Sequence, residues 1–186
     1  MAAPSRPTVP MRQLVLGVIV VSTLAGCGGS DPGDDSSGRP ARPSAEARPA
    51  NEAFVQRLDA LCEDATPKLA EIRSALTKAR DAGRTGRVSL PKTFNAFAVL
   101  LRRASATTER FKARLRPIEP PVGERAFYDA LVDSLERGSV NLRQQERAAE
   151  AQDAVRLRDL SVNGSLINAK QKGLITGHGG FRFCGG

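Results

Sequence analysis

Apolar residues recur in steps of three and four along four separate stretches of this chain, and no stretch alternates with the period of a strand. The clearest case is Phe94, Phe97, Leu101, Ala104, Thr108, Phe111 and Leu115, a heptad-like seam. It predicts a helix over Leu90–Arg116, with Ser89 as cap and Pro91 in the first turn. A second seam, Phe54, Leu58, Leu61, Ala65, Leu69, Ile72 and Leu76, predicts a helix over Asn51–Ala82. Pro67 lies inside it. Because the seam keeps its register across Pro67, a kink is expected there; two shorter helices with Thr66 capping the second is the alternative.

Pro120-Pro121 ends the Phe-rich helix. A third helix is expected over Val122–Ala149, with Phe127, Tyr128, Leu131, Leu135 and Leu142 as its apolar positions and a weak point at Gly138-Ser139. Ala151-Gln152-Asp153 reads as a turn, with Asp153 capping a fourth helix. That helix carries Val155, Leu157, Leu160, Val162, Leu166, Ile167 and Leu174, and Gly177-His178-Gly179-Gly180 is expected to stop it. Four amphipathic helices with short links predict an all-α domain over residues 51–186, an up-down-up-down four-helix bundle.

What precedes the helices is organised differently. Arg12 is followed by an apolar run from Leu14 to Val21, too short to span a bilayer, where about 20 residues are needed. Directly after it stands Leu24-Ala25-Gly26-Cys27. This stretch resembles the lipobox of bacterial lipoproteins. The resemblance implies a signal peptide over residues 1–26, diacylglyceryl attachment to the Cys27 sulfur and cleavage before it. The competing reading is an ordinary secretory signal with a chance cysteine. Met11 is an alternative start within the same leader. Residues 28–50 hold four Gly, four Pro and four Ser among 23 positions, a composition that cannot bury enough surface to offset its ordering entropy. Residues 27–50 are therefore expected to be a lipid-anchored, disordered tether, and the protein to be exported and held on the outer face of the cell membrane.

The helical part resembles a loose class of small envelope lipoproteins of high-GC bacteria. The likeness is carried by Leu58 to Cys62, by Leu115-x-x-Ile118-x-Pro120-Pro121, by Ala148-Ala149-x-Ala151-x-Asp153 and by Phe183-Cys184-Gly185. It implies a helical envelope domain and no known activity. The Gly-rich stretch Gly177–Gly180 departs from it.

If lipid occupies Cys27, two of the three cysteines remain, Cys62 and Cys184. In an exported chain a disulfide between them is the default. An up-down-up-down bundle sets the end of helix four beside the start of helix one, within reach of such a bridge. A free redox pair is the rival; it finds no Cys-x-x-Cys and no close basic cluster.

Composition narrows the chemistry. The chain has one His, one Tyr and no Trp, so the aromatic platforms that stack single-stranded nucleic acid are missing, and no nucleic-acid partner is expected. A single His, His178, excludes the Glu-x-x-His pairs of di-iron bundles and two-His metal motifs; no metal or cofactor is expected. His178 reads as a surface loop residue in a Gly-rich tail. The carboxylate pairs Glu63/Asp64 and Asp129/Asp133 read as solvated helix faces, with Arg137 four residues after Asp133. No catalytic constellation emerges, and the chain is read as non-enzymatic.

Removing Arg6 and Arg12 with the leader leaves 26 basic against 20 acidic residues. Arg103, Arg110 and Arg114 share one side of helix two, away from its seam, widened by Arg102, Lys112 and Arg116. This patch suits anionic phosphates of lipid or wall polymer, and equally suits plain solubility. Two functions are carried forward: an anchored module that binds another envelope component, protein or anionic polymer, and a small-ligand binder with a cavity between helices, left by Gly138 and Gly164.

Overall fold

The computed structural model describes residues 47–184, and these are all-helical, with no strand among them. The expected signal peptide, Cys27 and the expected tether up to residue 46 lie outside the described residues. Four helices, α1 (Ala47–Arg84), α2 (Leu90–Leu115), α3 (Arg125–Glu150) and α4 (Ala154–His178), pack as neighbours in chain order: α1 on α2, α2 on α3, α3 on α4.

Helix α1 begins at Ala47, inside the stretch expected to be tether, and continues unbroken through Pro67. Pro67 is exposed, so the carbonyl that loses its i+4 donor there lies on the solvent side. Ser89 is extended (φ −65°, ψ 150°) before α2, as a cap residue should be, but its side chain makes no capping bond. A single 3-10 turn, Val122–Glu124, precedes α3, so the third helix starts three residues later than its apolar pattern predicts. Asp153 does cap α4, accepting from the Arg156 N–H at 2.9 Å. Helix α4 then runs through Gly177 and ends only at His178; Gly179, at φ 78°, supplies the left-handed turn that a side chain would resist.

The core comes in two clusters. One gathers Phe54, Leu58 and Leu61 of α1, Leu115 at the end of α2 and Ile118 just after it, Tyr128, Leu131 and Leu135 of α3, and Ile175 of α4. The other gathers Phe97, Ala98 and Leu101 of α2, Ala148 and Ala149 of α3, and Leu157 of α4, with Leu76 and Ala79 of α1 against it. The apolar seams of α1 and α2 read from sequence are thus the buried seams: Phe54, Leu58, Leu61, Ala65, Ile72, Phe97, Leu101, Ala104 and Leu115 are all buried.

Between the clusters the helices meet through polar groups. Fully buried Ser139 donates to Glu109, which also accepts from Arg143 at 2.8 Å and Lys112 at 3.2 Å. Buried Lys112 reaches Glu136 at 2.7 Å as well. The Ser139 hydroxyl and the Lys112 ammonium hold the Glu109 carboxyl below its ordinary range, against the opposing effect of burial. Toward α4, Asn141 donates to the Leu160 carbonyl at 3.1 Å, and Gln145 reaches the same oxygen. The space beside Gly164 is filled by these two amides: a Cβ there would stand 2.8 Å from Asn141 Oδ1 and 3.1 Å from Gln145 Nε2. Among the described residues no buried side-chain nitrogen or oxygen lacks a hydrogen-bond partner.

Candidate functional site

Chemistry-bearing side chains concentrate in three places. The first is a clasp that folds the C-terminal tail onto α1. Cys62 and Cys184 are joined, with Cα atoms 5.0 Å apart, inside the ordinary range for a bridge. Three residues before Cys62, Asp59 sits 9% exposed and turns its carboxylate to the tail. Its Oδ1 accepts the backbone N–H groups of Arg182 at 3.0 Å and Phe183 at 2.7 Å. Thr66 donates to the Phe183 carbonyl at 3.2 Å. An anion cradled by successive backbone amides is a recurrent way to fix an irregular segment.

His178 completes the clasp. It is not a loop residue, as its Gly-rich surroundings suggest, but the last residue of α4, 19% exposed at its side chain. Its Nε2 meets Glu124 Oε2 at 2.5 Å and its Nδ1 meets the Gly179 carbonyl at 3.0 Å. The ring lies 4.2 Å from that of Phe127 and 5.3 Å from that of Phe181. Burial among these rings disfavours the charged imidazole, but the Gly179 carbonyl and the Glu124 carboxylate outweigh it, and the His178 pKa is raised above 6.5. With both nitrogens facing oxygen acceptors, the protonated ring is the form that satisfies every partner. These contacts tie the end of α4 to the 3-10 turn and to the tail.

The second place is the α1–α2 groove, where the arginines of α2 lie. Arg103 reaches Glu71 at 3.5 Å and Arg114 reaches Asp64 at 2.8 Å, both across to α1. Asp64 also binds Lys68 at 2.6 Å; this bond foremost, together with Arg114, lowers its pKa. Arg110 donates to Thr107 at 3.3 Å on its own helix. The structure therefore ties two of the three arginines to acids, and it does the same with their neighbours: Arg102 binds Glu146 at 2.7 Å and Glu150 at 2.6 Å, and Arg116 approaches Glu136 at 3.6 Å. Lys112, counted from sequence as part of the patch, points inward. Between Arg110, Arg114, Lys68 and the apolar Leu61 and Phe111 lies a shallow groove of about 100 Å³. Cavities that hold drug-sized ligands run to roughly 300–1,000 Å³.

The third is the outer side of α4. Val155, Val162 and Leu166, among the apolar residues that the fourth helix carries, are 71%, 53% and 59% exposed. They form a stripe facing away from Leu157 and Ile175, which are buried. The helix has two apolar sides, and a list of its apolar residues does not say which is covered.

Asp133 pairs with Arg137 on an exposed face, as their spacing suggests. No group of three or more His, Cys, Asp or Glu side chains that could hold a metal ion occurs among the described residues. No helix among them is long and apolar enough to cross a membrane. No family model, no curated protein and no solved structure matches the chain.

Proposed function

We propose that the protein is an exported, lipid-anchored envelope protein whose helical domain acts as a non-enzymatic interaction module. The observation that carries this reading is the Cys62–Cys184 bridge, because such bonds persist in oxidising compartments outside the cytosol. It leaves Cys27, in Leu24-Ala25-Gly26-Cys27, as the third cysteine, at the position a lipobox would modify. The domain runs up-down-up-down. In support, the starts of α1 and α3 and the ends of α2 and α4 share one core cluster, and the opposite ends share the other. The tether places the domain within reach of the membrane surface and of neighbouring envelope components. The module reading is favoured over a small-ligand binder by the filled space beside Gly164 and by the small α1–α2 groove. Arg110, whose guanidinium has only Thr107 as a hydrogen-bond partner among the described residues, is the member of the arginine patch best placed to meet an anionic phosphate.

Fractionation of cells carrying Cys27→Ser tests the anchor. The expected result is release of the domain from the membrane fraction, or accumulation of unprocessed precursor. A variant processed and retained like the parent overturns the anchor and the envelope function built on it.

A further inference from the structure

Helix α4 carries an apolar stripe opposite its packed side. At 3.6 residues per turn, Val155, Val162, Leu166 and Ala169 fall within an arc of about 60°. All four are exposed. The flanks of this stripe are basic. Arg158 lies about 20° beyond one edge and Lys170 about 40° beyond the other, with Lys172 and Arg156 further round; Asp159, beside Lys170, is the single acid between Val155 and Ala169. These four cations are exposed and make no ion pair among the described residues. Helix α2 is the contrast, since Arg102, Arg103, Lys112 and Arg114 are each tied to a carboxylate. Among the described residues, unneutralised positive charge on α4 thus flanks the helix face whose exposed apolar residues line up.

We infer that this face of α4 lies on the anionic membrane leaflet to which the chain is tethered. The inference rests on the anchor reading above. An apolar centre between basic borders is the pattern of helices that lie in the headgroup region. A second copy of the chain fits poorly, because pairing α4 with α4 would set basic borders against basic borders. The geometry of attachment also suits a membrane. The 19 residues 28–46 can reach at most about 65 Å, whatever path they take. They join α1 at Ala47, and Cys62, 15 residues along that helix, is bridged to Cys184 beyond the end of α4. A short tether raises the effective concentration of the surface to the millimolar range, so a contact too weak for a free protein is populated.

The chain has no Trp, so one introduced Trp is an unambiguous reporter. The full lipidated protein carrying Leu166→Trp, or Val99→Trp on α2 as control, is reconstituted into vesicles containing brominated lipid. One set holds phosphatidylglycerol and the other phosphatidylcholine alone. Circular dichroism and thiol alkylation verify that each variant is folded and bridged. Flotation reports the anchor separately. The expected result is about a twofold loss of emission from Leu166→Trp in anionic vesicles, little loss in zwitterionic ones and little from Val99→Trp in either. Adding Arg158→Gln, Lys170→Gln and Lys172→Gln shifts the docking equilibrium about fivefold per charge removed. A chain that floats with its Leu166→Trp emission unquenched overturns the inference and leaves the anchor standing. A chain that neither floats nor is quenched overturns both. An emission shift from Leu166→Trp that grows with protein concentration in the absence of vesicles assigns the face to a second copy and overturns the inference. So does a shift that requires an acidic partner protein and not lipid.

Discussion

Glu124 and His178, 54 positions apart in sequence, form a pair whose strength follows the proton on the imidazole. The pKa of His178 is raised in the folded chain, so the stability it contributes is fully present below the unfolded value near 6.5 and is lost as pH climbs through the raised one. Thermal melts across that range should therefore show the parent losing stability with rising pH, while Glu124→Gln flattens this dependence. Equal slopes would mean that the pair does not hold the tail. Gly164 and Gly173 make a second comparison on one helix. A methyl group at Gly164 meets the Asn141–Gln145 amides that hold the Leu160 carbonyl and must displace them, whereas at Gly173 nothing lies within 4 Å of the added carbon. Gly164→Ala is expected to lower unfolding stability by about 1–2 kcal/mol, and Gly173→Ala to raise it by about 0.5–1 kcal/mol, in urea titrations. His178 shows why sequence undersold this region. Gly on three nearby positions signals a loop, and the partner that orders the ring lies in a 3-10 turn across the fold.

At the scale of the helix, spacing carried most of the information for α1, α2 and α3, because each has one apolar seam and that seam is buried. Helix α4 has two, and its apolar residues point to nearly opposite sides. Spacing identifies such a helix but not its inner face, which here is decided by Asn141, Gln145 and the absence of a side chain at Gly164. The two sides should differ sharply on substitution. Leu157→Ala is expected to cost about 2–5 kcal/mol, and Leu166→Gln to stay within about 0.5 kcal/mol of the parent, in the same urea titrations. A large loss at Leu166 would mean that its face is covered in the free protein. The arginines of α2 teach a related point. Their common side was legible from period alone, but their partners Glu71 and Asp64 belong to α1, and only the packing of the two helices decides which charges are neutralised.

For the whole molecule the bridge has the largest consequence. Cys62→Ala with Cys184→Ala frees the tail from α1 and removes a closure of 122 residues. A loss of about 2–5 kcal/mol is expected, read as a lowered urea midpoint for the double variant and for the reduced parent alike. Unchanged midpoints would show that Asp59 and His178 suffice to hold the tail. The pairing itself could be argued from a cysteine count and helix order. The carboxylate of Asp59 aimed at the tail amides could not, since an acid one turn from a cysteine looks like any other surface acid until the tail is in place.

That closure also decides how the molecule bears tension. Force applied through the N-terminal segment enters α1 at Ala47 and can peel the helix only as far as Cys62, where a covalent ring begins. The 15 residues before it, drawn straight, would pay out about 50 Å of chain. When the load leaves through the residues after Cys184, it passes at that point through the sulfur–sulfur bond, and the rest of α1 with α2, α3 and α4, all inside the ring, is shielded from it. The domain would behave as a strain-limited link, extensible by one short segment and inextensible thereafter.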